Sequence, residues 1–270
     1  MNNNIIGVFD SGVGGLTVFS KLIKTLPKEN YVYYGDTKNL PYGSKTKEEL
    51  VSFAKNIFDY YAKNGAKAVI MACNTTSATT YDVLKDDYDF EIYPVIQIAS
   101  KCIASQDISR LGVLSTQATA DSHAYRKEVQ KHNPNIEVFE QGCPGWVQIV
   151  EEKTFDDKKS IELVKTHLDE MLQNKVDKIV LGCTHYPYLL SILEKFAAKD
   201  LFIDPAKDFV DYIEKDLQQK GLLAETQEFE PKFIVSANPE NFRKSAQLFY
   251  EVKEPPILSN LSIASSKNAC

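Results

Sequence analysis

The sequence lacks an apolar run long enough to cross a membrane. The longest stretch without Asp, Glu, Lys or Arg is Ile179–Leu193, which contains Thr184, His185 and Pro187 and is shorter than the ~18–20 apolar residues of a membrane span. The amino-terminal residues also lack the basic stretch that opens a secretory signal. We therefore expect a cytoplasmic protein with no membrane partner.

An excess of basic residues is missing as well. The 270 residues include 31 Lys and Arg against 37 Asp and Glu, a formal net charge of −6. This balance argues against nucleic acid or an anionic membrane surface as a partner. A chain of this length predicts about two domains and a core that needs neither disulfides nor metals.

Closely spaced cysteine pairs are absent. The five cysteines show no Cys-x-x-Cys spacing, and an odd number in a reducing compartment makes disulfides the weaker interpretation. We expect the cysteines to serve chemistry or packing. Cys102 falls in an apolar helical pattern and is expected in the core. Cys143 lies in a turn and Cys270 at the terminus, and neither is assigned a function.

Short apolar runs alternate with helix-length amphipathic runs along the chain. Strands are expected, among other places, at Ile5–Phe9, Ala68–Ala72, Ile136–Phe139 and Lys178–Leu181. This alternation predicts an α/β fold of mainly parallel sheets flanked by helices. The tail Glu254–Cys270 begins with two prolines and is expected to be irregular.

Two of the predicted helices are defined most closely by the sequence. Thr46 and Glu49 have the spacing of a capping box at the start of a helix over Thr46–Asn64, and Gly65 follows its end. A single helix is predicted over Ala118–His132.

The two halves of the chain resemble each other. Val69–Thr75 and Ile179–His185 are both an apolar strand, a small residue, a cysteine and two polar residues. Gly7–Ser11 and Gly112–Thr116 form a second matched pair in the same order. These matches predict two related, pseudo-symmetric α/β units.

Cys73 and Cys183 stand at the predicted carboxyl ends of equivalent strands. Ligands of open α/β sheets bind at that edge, so two facing units would bring both thiols into one cleft from opposite sides. Inversion of a stereocentre by proton transfer needs a base on one face of the carbon and an acid on the other. A hydrolase with one nucleophilic cysteine would not need this symmetry.

Other interpretations of these residues remain open. Both cysteines could be packing residues, because free cysteine is often buried. Cys73, Cys183, His185 and Asp10 could also form a zinc set, although no closely spaced ligand pair supports it. Asp10 could cap a helix and His185 could be a turn residue, or either could help a cysteine lose its proton.

Several loops at predicted strand ends have the composition of binding segments. Gly12–Gly15 resembles a phosphate loop without matching G-x-G-x-x-G, and its amides could hold an anion or let a substrate approach closely. The polar residues Asn74–Ser77 and Thr184 could cap helices, cradle a substrate, or do both. Gly35–Thr37 and Pro41–Gly43 could be simple turns or binding loops.

At these residues the sequence resembles the cofactor-independent aspartate/glutamate racemase family. The matching segments span nearly the whole chain in order and are Gly7–Thr17, Tyr34–Thr37, Pro41–Gly43, Ala72–Ser77, Gly112–Thr119 and Gly182–Pro187. The resemblance implies two pseudo-symmetric α/β domains, 1–96 plus 207–270 and 97–206, with the active site in the cleft between them. It also implies that the carboxyl-terminal segment returns to the first domain.

The activity that the resemblance implies is interconversion of L- and D-glutamate, which supplies D-glutamate for peptidoglycan synthesis. It implies a small-molecule substrate, no cofactor and no metal, and a homodimer is a further expectation. An aspartate racemase of the same family and a non-catalytic two-lobed amino-acid-binding protein remain as alternatives.

The resemblance also implies residue roles. Cys73 would deprotonate D-glutamate and Cys183 L-glutamate, assisted by Asp10, His185 and the further carboxylate Glu151. The positions that match substrate contacts are Asp10, Ser11, Tyr42, Gly43, Asn74, Thr75, Thr116, Thr119, Thr184 and His185.

Overall fold

A computed structural model of the chain describes residues 3–259 and 261, and strands alternate with helices in it as the pattern predicts. The strands are β1 Ile6–Asp10, β2 Tyr31–Gly35, β3 Ala68–Met71, β4 Glu91–Pro94, β5 Arg110–Ser115, β6 Glu137–Gly142, β7 Lys178–Gly182, β8 Phe202–Ile203, β9 Lys232–Val235 and β10 Ile257–Leu258. The helices are α1 Leu16–Thr25, α2 Lys47–Lys63, α3 Asn74–Leu84, α4 Val95–Ala104, α5 Gln117–Ser122, α6 Ala124–His132, α7 Trp146–Glu151, α8 Lys158–Leu172, α9 Leu190–Leu193, α10 Ala206–Gln219 and α11 Pro239–Ala246.

The strands form two sheets whose neighbouring strands are parallel. The first has the order β10-β9-β2-β1-β3-β4 and the second β6-β5-β7-β8. The carboxyl-terminal strands β9 and β10 return to the first sheet, where Lys232 of β9 pairs with Val32 of β2. The α/β class is confirmed, while the residue boundaries of the two domains stay a prediction.

The first sheet is buried on both faces, as the continuous apolar character of its strands predicts. Along β1, Ile6 and Val8 pack into the core on the side of Phe19 in α1, whereas Phe9 points to the opposite face. There the ring of Phe9 meets Phe58 of α2 edge to face, with the ring centroids 6.4 Å apart. Each such fully buried side chain contributes about 1.5–3 kcal/mol to stability.

The boundaries of α2 confirm the capping signals. The Thr46 side chain accepts from the backbone of Glu49, and the Glu49 carboxylate accepts from the backbone of Thr46. Gly65 follows the helix with φ +69°, a conformation in which glycine is strongly favoured.

Two local predictions were wrong. The helix predicted over Ala118–His132 is interrupted at His123, whose φ of 53° places it in the left-handed region and separates α5 from α6. In the tail, Ile257–Leu258 is not irregular but pairs with β9 as an edge strand. Cys270 lies outside the described residues.

A buried ion pair joins the first sheet to the loop after α10. Nζ of Lys67 lies 2.6 Å from Oε2 of Glu29, and both side chains are 2% exposed. Lys67 also donates to the carbonyl of Leu222, and Oε1 of Glu29 accepts from the backbone of Ala224. Within residues 3–259 and 261, no helix has the length and apolar character that a membrane crossing requires.

Candidate active site

A cavity of about 220 Å³ lies at the carboxyl ends of strands from both sheets. It is lined by Cys73 from the first half of the chain and by Cys183 from the second. The volume is below the ~300–1,000 Å³ typical of drug-sized ligands, so the cavity suits a smaller metabolite. Both sulfurs therefore belong to one small site, as the internal repeat predicts.

Cys73 lies between β3 and α3, as the residue before the first turn of α3, and is 6% exposed. Its Sγ lies 3.9 Å from Oγ of Ser11, which follows β1. Burial, together with the nearby Asp10 carboxylate, raises the pKa of the Cys73 thiol to about 11. Cys73 is therefore a neutral thiol near neutral pH, a form that can donate a proton.

Cys183 follows β7 and is the first of three ionisable side chains in a row, Cys183, His185 and Glu151. Its Sγ lies 3.9 Å from Nδ1 of His185, and Nε2 of His185 lies 3.1 Å from Oε1 of Glu151, the last residue of α7. Burial alone would lower the pKa of His185, but Cys183 and Glu151 outweigh it and raise that pKa to about 10. The resulting imidazolium lies beside the Cys183 sulfur as a positive charge.

Asp10 ends β1 and is fully buried. Its Oδ1 accepts from the backbone N–H of Gly12 at 2.9 Å, and its Oδ2 accepts from Oγ1 of Thr184 at 3.4 Å. Burial raises the pKa of Asp10, and the hydrogen bond from Gly12 and the charge of His185 oppose that rise only in part. Asp10 does not cap α1, whose N-cap is Gly15 without a side-chain hydrogen bond; its carboxylate instead binds the loop after β1 and links it to the Cys183 loop.

Three threonine hydroxyls connect the two halves beside the cavity. Oγ1 of Thr75, in the first turn of α3, lies 3.0 Å from Oγ1 of Thr116 and 3.2 Å from Oγ1 of Thr119. Thr116 also caps α5 by accepting from the backbone N–H of Thr119. The cluster holds the amino-terminal ends of α3 and α5 together at the site.

A turn from the first half, Pro41–Gly43, forms another wall of the cavity. The Tyr42 hydroxyl donates to Oδ2 of Asp36 at 2.5 Å, which anchors the turn to the end of β2. A Cβ on Gly43 would lie 3.6 Å from Cβ of Thr116, so this turn reaches across to the second half.

The glycine loop after β1 serves close packing within the protein. A Cβ on Gly14 would lie 2.4 Å from Oγ1 of Thr184 and 2.5 Å from the His185 ring. A real Cβ does not come that close to a non-bonded heavy atom, so only glycine lets the loop pass this close to Thr184 and His185. The close approach seen here is to Thr184 and His185 of the protein itself, whereas binding of an anion or close approach of a substrate stays a prediction.

The sequence-predicted residues divide into a lining set and a supporting set. Those that line the cavity are Ser11, Tyr42, Gly43, Cys73, Asn74, Thr75, Thr116, Cys183, Thr184 and His185. Three others do not line the cavity but contact residues that do: Asp10 contacts Thr184, Thr119 contacts Thr75 and Glu151 contacts His185. Their individual roles stay predictions.

Several lining residues were missed by the sequence reasoning. Cys143 was placed in a turn without function, yet it is 2% exposed and lines the cavity, together with Gln117 and Gln148. Strand β6 runs to Gly142 rather than stopping at Phe139, so Cys143 also follows a strand end. That shared position was the signal that could have revealed it. Cys102, expected in the core, is only partly buried.

The zinc interpretation finds no geometric support in the described part of the chain. No three His, Cys, Asp or Glu side chains converge there in a way that could hold a metal ion. Of the ionisable groups of the site, Cys183, His185 and Glu151 lie in a row instead.

Comparison with known proteins agrees with this geometry. A model of the Asp/Glu/Hydantoin racemase family matches residues 6–212. A glutamate racemase of Nostoc sp. is 39% identical over 241 residues, which are 89% of this chain and 82% of the relative. One from Thermoanaerobacter pseudethanolicus is 36% identical over 260 residues, 96% of this chain and 97% of the relative.

Solved structures show the same relationship. The glutamate racemase of Francisella tularensis, solved in complex with D-glutamate, matches with a TM-score of 0.89 at 32% identity. The match covers 96% of this chain and 98% of that one. The fold, the paired strand-end cysteines and these comparisons lead to one conclusion: the chain belongs to the Asp/Glu/Hydantoin racemase family.

Proposed function

We propose that the chain is a glutamate racemase that moves the α-proton directly between its two cysteines. The observation that carries the proposal is that Cys73 and Cys183, one from each half, line a single small cavity. The similarity to glutamate racemases over most of the chain supports glutamate as the substrate.

In the L-to-D direction, the Cys183 thiolate takes the α-proton of L-glutamate. The Cys73 thiol then gives its own proton to the opposite face of the same carbon. D-glutamate leaves, and the enzyme holds a Cys183 thiol and a Cys73 thiolate, which is the starting form for the reverse reaction. The step balances without any other reactant, because one proton is removed and one is added.

The surroundings of each sulfur support this assignment. The imidazolium of His185, held by Glu151, places a positive charge beside the Cys183 sulfur. Burial keeps Cys73 protonated by raising its pKa. When Cys73 is the base, Asp10 is the group that would exchange its proton, since its charge acts on the Cys73 thiol and burial raises its own pKa.

The cavity also offers partners for the charged groups of an amino acid. Asn74 and Thr75 lie in the first turn of α3, where free backbone N–H groups and the helix dipole favour a carboxylate. Thr116 and Thr184 add hydroxyls on the other side. We propose that these residues, with Ser11 and the Tyr42–Gly43 turn, hold the substrate between the sulfurs.

The biological role that follows is the supply of D-glutamate for peptidoglycan, by an enzyme acting in the cytoplasm. Homodimerisation stays a prediction of the family resemblance.

The test is to incubate the purified protein with L-glutamate and, separately, with L-aspartate, and to separate the enantiomers by chiral chromatography. We expect D-glutamate to accumulate to equal amounts of both enantiomers, with much slower turnover of aspartate. Preferred turnover of aspartate would identify an aspartate racemase instead. Binding of glutamate without any D-enantiomer would identify a binding protein.

A further inference from the structure

Tyr125, a residue outside every motif discussed above, makes a hydrogen bond to the site from the second half of the chain. It lies in α6, is fully buried, and donates its hydroxyl to Oδ1 of Asn74 at 2.8 Å. Asn74 is the residue directly after Cys73 and lines the cavity. The bond therefore connects a helix of the second half to the amino-terminal end of α3 in the first.

This bond fixes which end of the Asn74 amide faces the cavity. Because Oδ1 is engaged by Tyr125, Nδ2 points away from the tyrosine. Among the described residues Nδ2 has no acceptor, although the Asn74 side chain is nearly fully buried. Two N–H donors are thus left to a ligand, and a carboxylate is the group that accepts them best.

The arrangement on the Cys183 side is reciprocal. Thr184, the residue directly after Cys183, donates to Asp10 of the first half, and its carbonyl accepts from Oγ1 of Thr17 in α1. In each half, the residue after the cysteine is held by a side chain from the opposite half. Asn74 and Thr184 occupy equivalent positions in the internal repeat. Tyr125 holds the Asn74 side chain by a hydrogen bond, as Asp10 holds the Thr184 side chain.

The donor role of Tyr125 is stable to changes in pH. Burial raises the pKa of its hydroxyl above the ordinary value, and the nearby Cys183 acts in the same direction. Tyr125 is therefore a neutral donor wherever the enzyme is folded and active. If the Asn74 amide were flipped, its N–H would donate to the Tyr125 oxygen, and the tyrosine O–H would lose the acceptor that Oδ1 provides.

We propose that Tyr125 is a positioning residue that holds the Asn74 amide with its Nδ2 directed at a substrate carboxylate. This inference rests on the proposed racemase function and assigns a residue that acts through Asn74 rather than on the substrate. It predicts that loss of the hydroxyl weakens substrate binding while the proton-transfer groups remain in place.

The test is steady-state kinetics of Tyr125→Phe, which keeps the ring and removes only the hydroxyl. We expect KM to rise about tenfold for both L- and D-glutamate while kcat changes less than about threefold, the pattern of a lost binding interaction. The two enantiomers have equal free energies in solution, so kcat/KM has to fall equally in both directions. An unchanged KM, or a fall in kcat alone, would overturn the proposal.

A double-mutant cycle with Asn74→Ala separates positioning from a general packing effect. Asn74→Ala alone should raise KM at least as much, and adding Tyr125→Phe should then change KM less than about twofold. A full tenfold further rise in the double variant would contradict action through Asn74.

Tyr31→Phe is the matched control. The Tyr31 hydroxyl is also fully buried, but it donates to the carbonyls of Leu22 and Leu26 at the end of the first sheet remote from the cavity. We expect it to lower thermal stability without changing KM. An inactive wild-type protein would refute the proposed function itself, whereas an active wild type with normal KM in Tyr125→Phe would refute only this inference.

Discussion

Oε1 of Glu151 lies 3.1 Å from Nε2 of His185 and holds the imidazole whose other nitrogen faces the Cys183 sulfur. His185 is almost completely buried, and an isolated buried imidazole would stay neutral. With Cys183 and Glu151 as partners its pKa is instead raised to about 10. The pair therefore supplies a positive charge beside one of the two sulfurs at neutral pH.

Replacement of Glu151 should change the pH dependence of turnover. Without the carboxylate in Glu151→Gln, the pKa of His185 is raised less, so the imidazolium is lost at lower pH. We expect the alkaline limb of kcat/KM to move acidward by about one to three pH units, the effect of one opposite charge at this distance. The ammonium of glutamate titrates identically in both assays, so the difference between the two proteins reports on the enzyme.

The same pair should make stability depend on pH. Because the pKa of His185 is higher in the folded state than its unfolded value near ~6.5, its protonated form stabilises the fold fully below that pH. This contribution is lost as the pH rises towards about 10. Thermal unfolding of wild type and His185→Gln should therefore differ most at about pH 6 and converge near pH 10. A constant difference across this range would contradict the raised pKa.

Each catalytic cysteine should be indispensable. Cys73→Ser and Cys183→Ser are expected to lower kcat/KM by about 10²–10⁴-fold or more, because a serine hydroxyl is a far weaker acid than a thiol. The loss has to be equal in both directions for each variant. Cys102→Ser is the control, since Cys102 lies in α4 away from the cavity and should leave turnover unchanged. Near-normal turnover of either catalytic variant would exclude the two-thiol mechanism.

Gly14 should be intolerant of a side chain. In Gly14→Ala the new methyl group would collide with Thr184 and the His185 ring, so His185 has to move. We expect kcat/KM to fall at least about tenfold, with a loss of about 1–3 kcal/mol in the free energy of unfolding. Gly65→Ala is a useful comparison. Its positive φ makes it cost about 1 kcal/mol, but no atom lies within 4 Å, so activity should be retained.

The ion pair between Lys67 and Glu29 should matter for stability and not for turnover. Lys67→Met leaves the Glu29 carboxylate buried without its cation, which is expected to lower the free energy of unfolding by about 3–5 kcal/mol. In the double variant Glu29→Gln/Lys67→Met no buried charge remains, and part of the loss should be recovered. Urea denaturation measures both, and a double variant less stable than Lys67→Met would contradict this explanation.

Much of the site was predictable because its signals are local. A cysteine after a short apolar strand is visible in the sequence, and the carboxyl ends of parallel strands converge by the rules of the fold. The repeat then pairs Cys73 with Cys183 without any coordinates. The capping box of α2 was predictable for the same reason, since Thr46 and Glu49 lie within one turn.

The remainder depends on contacts between distant parts of the chain. The residue that holds His185 was inferred only through the family resemblance, because Glu151 is brought to it by the packing of α7. Cys143 was missed because β6 extends three residues beyond its apolar run. The helix predicted over Ala118–His132 is interrupted because His123 adopts a left-handed backbone conformation. The sequence does not predict this, since His123 is not a glycine. The bond from Tyr125 to Asn74 spans 51 residues and has no sequence signature.

The most direct measurement of the central claim follows the fate of the α-hydrogen in D₂O during the first turnovers of L-glutamate. If one sulfur removes the proton and the other delivers a new one from solvent, the D-glutamate formed carries deuterium at Cα while the recovered L-glutamate remains protiated. Deuterium entering recovered L-glutamate as fast as D-glutamate forms would show that a single base serves both faces, and the assignment of Cys73 and Cys183 as opposed acid and base would be wrong.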